Sequence, residues 1–269
     1  PLRVHPGVKH TVAPVKIQGR LHQEDFMRRI LIRYQDLPAT SANINEIRRK
    51  VIAFYRKRGF TDAAVRLSGE PRDGRFHILL SVELGTRYQL RQWNILGLEK
   101  TLPHRIERRF TGTEGQYFDA NLADRTVRKL LSTGAFSSIL LETNKNEATR
   151  TLDATLHFTE ARARSFGAYG GLETFEGMIL GASYSDRNLL GRLFQLNAGL
   201  EWSQRGLLFD TKIVDPYFLD TDIQAGYRYF AINRDLDVYQ KFETGFSLDF
   251  TWQRDEFDSV LLYLASSHV

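Results

Sequence analysis

The second half of the chain alternates between apolar and polar residues over long runs. In the clearest run, one side carries Phe194, Leu196, Ala198, Leu200 and Trp202, and the other carries Gln195, Asn197, Gly199, Glu201 and Ser203. A period of two residues is typical of a β-strand, which presents successive side chains to opposite faces. The predicted strands are 166–172, 178–184, 194–203, 207–213, 223–231 and 242–253, with 259–266 a candidate for one more. The pattern therefore predicts an antiparallel sheet with one apolar face.

Two kinds of all-β structure share this pattern, a soluble sandwich and a membrane-spanning barrel. Long strands, small residues on the polar side and aromatic residues near strand ends favour the barrel. Those aromatic residues are Trp202, Tyr217, Phe218, Tyr229 and Trp252. Six or seven strands are too few to close a barrel of this kind, which needs about eight or more. We therefore expect a fragment whose remaining strands follow Val269, and the absence of an initiator Met at Pro1 also indicates a mature, trimmed or fragmentary chain.

The first half mixes helices with short strands, and its pattern repeats after about 75 residues. Each copy predicts the order strand, helix, helix, strand, strand. In both copies an apolar-periodic helix ends at a glycine, Gly59 or Gly134, which is followed by Phe60 or Phe136. The predicted elements are 12–18, 24–33, 44–55, 63–69 and 75–83 in the first copy, and 88–96, 103–110, 122–131, 137–143 and 151–159 in the second.

The turn of the first hairpin is predicted at Pro71-Arg72-Asp73-Gly74, and the copies end alike at Glu83 and Glu160. The predicted organisation is a leading segment at 1–11, α+β domains at 12–84 and 85–161, and all-β strands at 162–269. The fold class is therefore α+β repeats with the order β-α-α-β-β, followed by antiparallel strands of an incomplete transmembrane barrel.

Composition, charge and the lack of known catalytic motifs argue against several classes of function. The net charge of +5 permits a nucleic-acid or anionic membrane partner, but the basic clusters 48–58 and 105–109 read as solvated helix faces. The chain has no cysteine, and its seven histidines lack ligand spacing, so we expect no metal site and no cofactor. No nucleophile elbow, P-loop or dinucleotide fingerprint is present, so we expect no enzyme. No apolar run reaches the length of a transmembrane helix.

Several short motifs resemble those of a known family. The segments Tyr55-Arg56-Lys57-Arg58-Gly59-Phe60 and Leu131-Ser132-Thr133-Gly134-Ala135-Phe136 resemble POTRA domains. Asn94-Ile95-Leu96-Gly97-Leu98 is similar to their opening V-x-G-N turn, although Leu98 stands where Asn is common. Residues 160–171, Asn188-Leu189-Leu190-Gly191 and Asp215-Pro216-Tyr217-Phe218 resemble the junction and first strands of a BamA-type barrel. The chain thus resembles outer-membrane assembly factors of the BamA/TamA type.

This resemblance implies a function without bond chemistry, the folding and insertion of other β-barrel proteins. It implies a bacterial outer membrane, with POTRA domains in the periplasm. The implied partners are the lipid bilayer, unfolded β-barrel clients and accessory lipoproteins or a periplasmic partner, and no nucleic acid. A transporter that secretes one dedicated partner is the alternative, and a soluble adhesion-type protein is a more distant one.

The resemblance also implies a lateral gate in the first barrel strand. The gate residues are Ser165, Phe166, Gly167, Ala168, Tyr169, Gly170 and Gly171. Glycines weaken strand pairing, but they could instead accommodate curvature or a close aromatic neighbour. The strands 63–69 and 137–143 are expected at sheet edges, where they either capture client segments or are ordinary protected edges. For the barrel turn motif, Asp215, Pro216, Tyr217 and Phe218, we expect a structural role rather than a chemical one.

Overall fold

The structure, a computed structural model, describes residues 9–19, 21–236, 239–253 and 259–268. These residues divide into two compact units. The first contains the described residues of Pro1–Trp93 with Gly112–Arg125 and Thr143–Ala154, and the second contains those of Asn94–Thr111, Thr126–Glu142 and Thr155–Val269. Most of the predicted leading segment 1–11 lies outside the described residues. The domain boundaries after residues 84 and 161 stay predictions.

The first repeat is a small mixed sheet packed against two helices. Its elements are β1 (Thr11–Val12), β2 (Lys16–Gln18), α1 (Glu24–Ile32), α2 (Ser41–Arg56), β3 (Ala64–Arg72) and β4 (Arg75–Glu83). β4 is central, with β1 and β2 parallel to it on one side and β3 antiparallel on the other. The single strand predicted at 12–18 is therefore wrong, because Ala13–Val15 interrupts it. β3 lies at the sheet edge, as predicted.

The helix α2 shows why the first repeat folds as the sequence predicts. The hydroxyl of Thr40 accepts a hydrogen bond from the backbone N–H of Asn43 at 3.2 Å, which caps the helix start. The helix buries Ile47, Val51, Phe54 and Tyr55 against the sheet, with Met27 of α1 and Leu80 of β4 in the same core. Spacings of three and four residues place these side chains on one face of the helix.

The β3–β4 hairpin differs from its prediction. Pro71 and Arg72 belong to β3, so the loop contains only Asp73 and Gly74. Both loop residues have positive φ, 50° and 74°. This is the conformation of a type I′ turn, whose twist matches that of the flanking strands and which favours the Asp-Gly pair. Pro71 is tolerated because it lies on an edge strand.

The second repeat has the same order of elements. They are β5 (Gln89–Leu96), α3 (Pro103–Glu107), α4 (Ala120–Ser132), β6 (Phe136–Asn146) and β7 (Thr151–Glu160), and the sheet order is β5-β7-β6. β6 is thus an edge strand, as predicted. The carboxylate of Asp119 accepts a hydrogen bond from the Leu122 backbone N–H at 2.9 Å at the start of α4. Among the described residues, no helix combines the length and the apolar character needed to cross a membrane.

Two glycines reveal the register of the repeat. Gly19 and Gly97 both have positive φ, 128° and 86°, and a Cβ at either would fall on a backbone carbonyl, that of Val82 or Phe158. Equivalence of Val82 with Phe158 makes Leu84, not Glu83, the counterpart of Glu160. The last strands of the two copies do end at Glu83 and Glu160, as predicted, although the glycine contacts make Leu84 the equivalent of Glu160.

The remaining strands form one antiparallel sheet of seven. They are β8 (Arg164–Glu173), β9 (Gly177–Leu189), β10 (Phe194–Ser203), β11 (Gly206–Asp215), β12 (Ile223–Leu236), β13 (Tyr239–Gln253) and β14 (Ser259–His268). Each strand pairs with its neighbour in the chain, from β8 to β14. All six predicted strands and the candidate seventh are confirmed.

One face of this sheet is apolar and exposed. Trp202 lies opposite Leu180 of β9 and Leu207 of β11, and all three side chains are exposed. The same face continues through the paired Tyr229 and Phe246 of β12 and β13. A soluble sandwich would bury such a face against a second sheet. The exposed face therefore favours the barrel over the sandwich.

The opposite face carries charged pairs. Lys212 Nζ lies 3.1 Å from the Asp249 carboxylate, and Arg228 Nε donates to Asp210 at 2.7 Å. The predicted position of Tyr229 near a strand end is wrong, because it lies in the middle of β12. The sheet thus has one apolar and one polar face, as the wall of a membrane barrel does.

Candidate functional site

The strand predicted as the lateral gate is one edge of the seven-stranded sheet. β8 pairs with β9 along its whole length, from Arg164 opposite Asp186 to Glu173 opposite Gly177. Within the described ranges, no strand pairs with its other side. Its outward N–H and C=O groups are therefore available to another strand, and such groups are costly to leave unpaired in lipid.

The three glycines of β8 are not required by backbone conformation, because none has positive φ. A Cβ at Gly171 would meet no atom within 4 Å, and one at Gly170 would lie 3.2 Å from the Leu180 side chain. At Gly167 the added Cβ would lie 2.8 Å from Ser183 Oγ. Gly171 in particular has no steric reason to be glycine, whereas weak strand propensity is a property that all three share.

The alternative interpretation expects a glycine that makes room for an aromatic side chain, and such a glycine lies on β9. The ring of Tyr169 packs over Gly181 of β9, where any Cβ would fall within the ring. The Tyr169 hydroxyl donates a hydrogen bond to the Glu201 carboxylate at 2.7 Å. It is thus Gly181, and not a glycine of β8, that makes room for an aromatic side chain.

The other predicted gate residues lie on both faces of β8. Ser165 Oγ lies 2.8 Å from Ser185 Oγ. Phe166 is 75% exposed on the apolar face, and Ala168 follows on the same face, opposite Ala182. The structure therefore places the predicted gate residues together on one exposed strand, and their role in gating stays a prediction.

The base of β8 is held by a buried carboxylate. Arg164 Nε donates to Asp186 at 2.9 Å, and Asp186 also accepts the backbone N–H of Asn188 at 2.9 Å. Asn188 then links two turns: its amide donates to Thr101 Oγ1 at 2.8 Å and its oxygen accepts the Leu193 N–H at 3.0 Å. Asp186 and Asn188 are both buried, so these bonds fix the base of the strand.

Glu160 organises the chain just before β8. Its carboxylate accepts hydrogen bonds from the backbone N–H groups of Glu99, Lys100 and Thr101, at 3.2, 3.1 and 2.8 Å. Burial alone would raise the pKa of Glu160, but the hydrogen bonds from Thr101 and the neighbouring amides outweigh burial and lower the pKa. The carboxylate is therefore a charged cap for the turn that follows β5.

The barrel turn motif forms a strained turn between β11 and β12. Asp215 accepts the backbone N–H of Tyr217 at 2.9 Å, which folds the chain back after Pro216. A short 3₁₀ segment, Phe218–Asp220, follows, in which Leu219 and Asp220 have φ of 52° and 59°. Tyr217 is fully buried, and the structural role of this motif stays a prediction.

Arginines of the α3 segment surround this turn. Arg105 donates to Asp215 and to Asp220, both at 3.1 Å, and Arg109 donates to Asp220 at 3.2 Å. Arg108 also pairs with Asp220. Arg105 and Arg109 are largely buried, so the prediction of a solvated helix face is wrong for these two residues. The sequence does carry one signal of this shared position. The two arginines are four residues apart, which places them on one side of a helical segment.

Tyr217 lies under two cations. The Arg109 guanidinium is 4.6 Å and Lys129 Nζ 4.9 Å from the ring centroid, and Lys129 also donates to Asp222 at 2.7 Å. Burial raises the pKa of the Tyr217 hydroxyl, which Arg109 opposes, and burial lowers the pKa of Arg109. The Tyr217 hydroxyl has no hydrogen-bond partner within the described part of the chain.

The predicted POTRA motif residues serve the repeats rather than this site. Gly59 and Gly134 have φ of 90° and 73°, as a glycine that ends a helix requires. Phe60 packs edge-on against Tyr55, with ring centroids 5.9 Å apart. Phe136 packs against Phe158 at 4.9 Å. No group of three or more His, Asp or Glu side chains in the described ranges could hold a metal ion.

The chain is similar to known proteins in sequence and in fold. No family model matches the chain. The chloroplastic outer envelope protein 80 of Oryza sativa subsp. japonica is 25% identical over 188 residues, which are 65% of this chain and 28% of the rice protein. The crystal structure of BamA from Haemophilus ducreyi lacking POTRA domains 1–3 covers 96% of this chain and 51% of that one, with 18% identity and a TM-score of 0.65. The chain has the BamA/TamA-type fold.

This BamA/TamA-type fold confirms the predicted resemblance and the predicted fold class. CdiB from Acinetobacter baumannii shares the fold, covering 98% of this chain and 55% of that one at 12% identity and a TM-score of 0.51. The predicted outer-membrane localisation agrees with the name of the rice relative, an outer envelope protein. The chain spans about half of the BamA structure and 28% of the rice protein.

Proposed function

We propose that the chain is part of an outer-membrane assembly factor that folds and inserts other β-barrel proteins without any bond chemistry. The observation that carries the proposal is the outer edge of β8, with which no strand of the described residues pairs, next to an exposed apolar face. An unfolded client strand in lipid has the same need for partners, because each unpaired backbone group costs several kcal/mol. Pairing with β8 would satisfy that need during transfer.

The glycines of β8 fit this role. A permanent partner would be favoured by β-branched residues, whereas glycine lowers the stability of a strand. Since a Cβ at Gly171 would meet no atom within 4 Å, the small size of this residue serves no packing contact within the described residues. A strand that must release its client is better served by such weak pairing.

The repeats supply two more edge strands that could pair with a client in the same way. β3 and β6 lie at the edges of their sheets, where an extended client or periplasmic partner could add as a further strand. The arginine cluster on Asp220 would hold the α3 segment against the β11–β12 turn while clients pass. The proposed partners are thus the bilayer, unfolded barrel proteins and an accessory lipoprotein or periplasmic partner.

A transporter that exports one dedicated partner is the second candidate. The charged pairs Lys212–Asp249 and Arg228–Asp210 give the sheet a polar face that would suit a water-filled conduit. Both candidates use the same fold, so the fold does not separate them.

Deletion of residues 12–161 from the full-length gene separates the two functions. Assembly predicts that many outer-membrane barrel proteins fall together in the membrane fraction, while export predicts loss of one secreted protein only. Heat-dependent migration of the shortened protein in gels would check that its own barrel still folds. Loss of a single secreted partner, with all other barrel proteins unchanged, would reject the assembly proposal.

A further inference from the structure

A cavity of about 490 Å³ lies at the base of β8, within the second unit. Its lining includes Lys100, Glu160, Arg162, Arg164, Asp186 and Leu190. The cavity borders the turn before β8 and the turn between β9 and β10. The cavity therefore lies at the end of β8 where the strand begins. None of the roles predicted from the sequence involves this cavity.

The acidic side chains that line the cavity have hydrogen-bond partners, whereas two of its basic side chains have no ion-pair partner among the described residues. Asp186 is bonded to Arg164 and to a backbone N–H, and Glu160 accepts three backbone N–H groups. Lys100 and Arg162 are exposed, and no carboxylate of the described residues lies within ion-pair distance of either side chain. The two acids are thus already compensated, and two cations remain free for an anion.

An exposed leucine, Leu190, lies among the residues that line the cavity. Leu190 is 73% exposed and has a φ of 56°, a conformation that is unfavourable for leucine. Phe166 lies two residues beyond Arg164 on the same face of β8, about 7 Å along the strand. Free cations are therefore followed directly by an exposed apolar surface. A free phosphate ion would use only the first of these features.

We propose that this cavity binds the phosphate headgroup of an anionic glycerophospholipid, with its acyl chains along Leu190 and Phe166. Lys100 and Arg162 supply the charge, and the lower end of β8 supplies the apolar surface. Cations near an anionic membrane surface gain about 1 kcal/mol each, which is about fivefold in affinity. The inference rests on the proposed membrane-spanning sheet, but not on strand exchange at β8.

Lipid titration of the full-length protein in detergent, followed by native mass spectrometry, tests the site. The probes are phosphatidylglycerol, phosphatidylcholine and soluble glycerol 3-phosphate. We expect phosphatidylglycerol to bind more tightly than phosphatidylcholine, and Lys100→Gln with Arg162→Gln to weaken it by about 25-fold. Arg48→Gln with Arg49→Gln removes the same charge from exposed positions of α2 and should leave binding unchanged.

Three results would overturn the proposal. They are equal binding of both lipids, equal loss in the two double variants, and binding of glycerol 3-phosphate as tight as that of the lipid. The last would indicate a small-anion site. Loss of lipid binding with normal client assembly would support the lipid site while separating it from the proposed function, because assembly and lipid binding are measured independently.

Discussion

The guanidinium of Arg105 lies 3.1 Å from the carboxylate of Asp215, and each side chain is only 12% exposed. This pair joins the α3 segment to the turn between β11 and β12. Removing one member of a buried pair leaves the other charge uncompensated. The relationship therefore makes the turn motif depend on a residue 110 positions earlier in the chain.

Asp215→Asn should destabilise the protein by about 1–3 kcal/mol, because Arg105 keeps only Asp220 as a charged partner. Both Arg105 and the Tyr217 N–H donate to Oδ1 of Asp215, and the amide oxygen of Asn can still accept both hydrogen bonds. Asp220 then remains as the charged partner of Arg105, so the change isolates the loss of charge. Urea unfolding in detergent measures the effect. Glu24→Gln, which breaks the exposed Arg28–Glu24 pair, serves as control and should cost less than about 0.5 kcal/mol. Equal losses of stability in the two variants would contradict the claim that the Arg105–Asp215 pair is buried and stabilising.

Tyr217→Phe should be neutral or stabilising by up to about 1 kcal/mol, since the buried hydroxyl has no partner within the described residues. Tyr217→Ala should cost about 3–5 kcal/mol because it empties the space under Arg109 and Lys129. Denaturant midpoints of the two variants compare hydroxyl and ring directly. A loss of more than about 2 kcal/mol in the phenylalanine variant would show that the hydroxyl is bonded after all.

Glu160→Gln should reduce the acid sensitivity of the protein. The pKa of Glu160 is lower in the folded protein than its ordinary value of 4.5, so the charged form stabilises the fold. That contribution is present above pH of about 4.5 and is lost as the pH falls through the lowered pKa. Unfolding midpoints between pH 7 and pH 3, compared with those of the variant, measure it. Parallel pH profiles for the two proteins would count against the charged cap.

Gly171→Ala should stabilise β8 by about 0.5–1 kcal/mol, because its Cβ meets no neighbour within 4 Å. The same change at Gly199, on the central strand β10, is the matched control, since only one atom lies as near as 4.0 Å to a Cβ there. If weak pairing of β8 serves client release, only the Gly171 variant should slow assembly of barrel proteins into vesicles. Equal assembly rates for both variants would assign Gly171 no part in release.

The sequence predicts the elements well where a single period dominates. The alternation of 194–203 and 242–253 and the spacing of Ile47, Val51 and Tyr55 each correspond to an observed element. The errors are local: the break at Ala13–Val15 and the two-residue turn at Asp73-Gly74 depend on pairing with β4, which no local period reports.

The contacts around the turn motif were harder to predict. Arg105 and Arg109 have the composition of a solvated face, and only their contacts with Asp215 and Asp220 show that they are buried. Glu160 likewise looks like any strand-ending acid until the amides of 99–101 surround it. Such contacts join residues about 60 to 110 positions apart, beyond the reach of spacing arguments.

Photo-cross-linking from position 166 of β8 tests client pairing most directly, with p-benzoylphenylalanine in place of Phe166 in the full-length protein. Phe246 is the matched control, because it is also an exposed phenylalanine of the apolar face but lies on β13, which is paired on both sides. The client is an outer-membrane barrel protein unfolded in urea. We expect it to cross-link to position 166 and not to position 246. Equal cross-linking at both positions, or none at 166 while clients are still inserted, would contradict client pairing at β8.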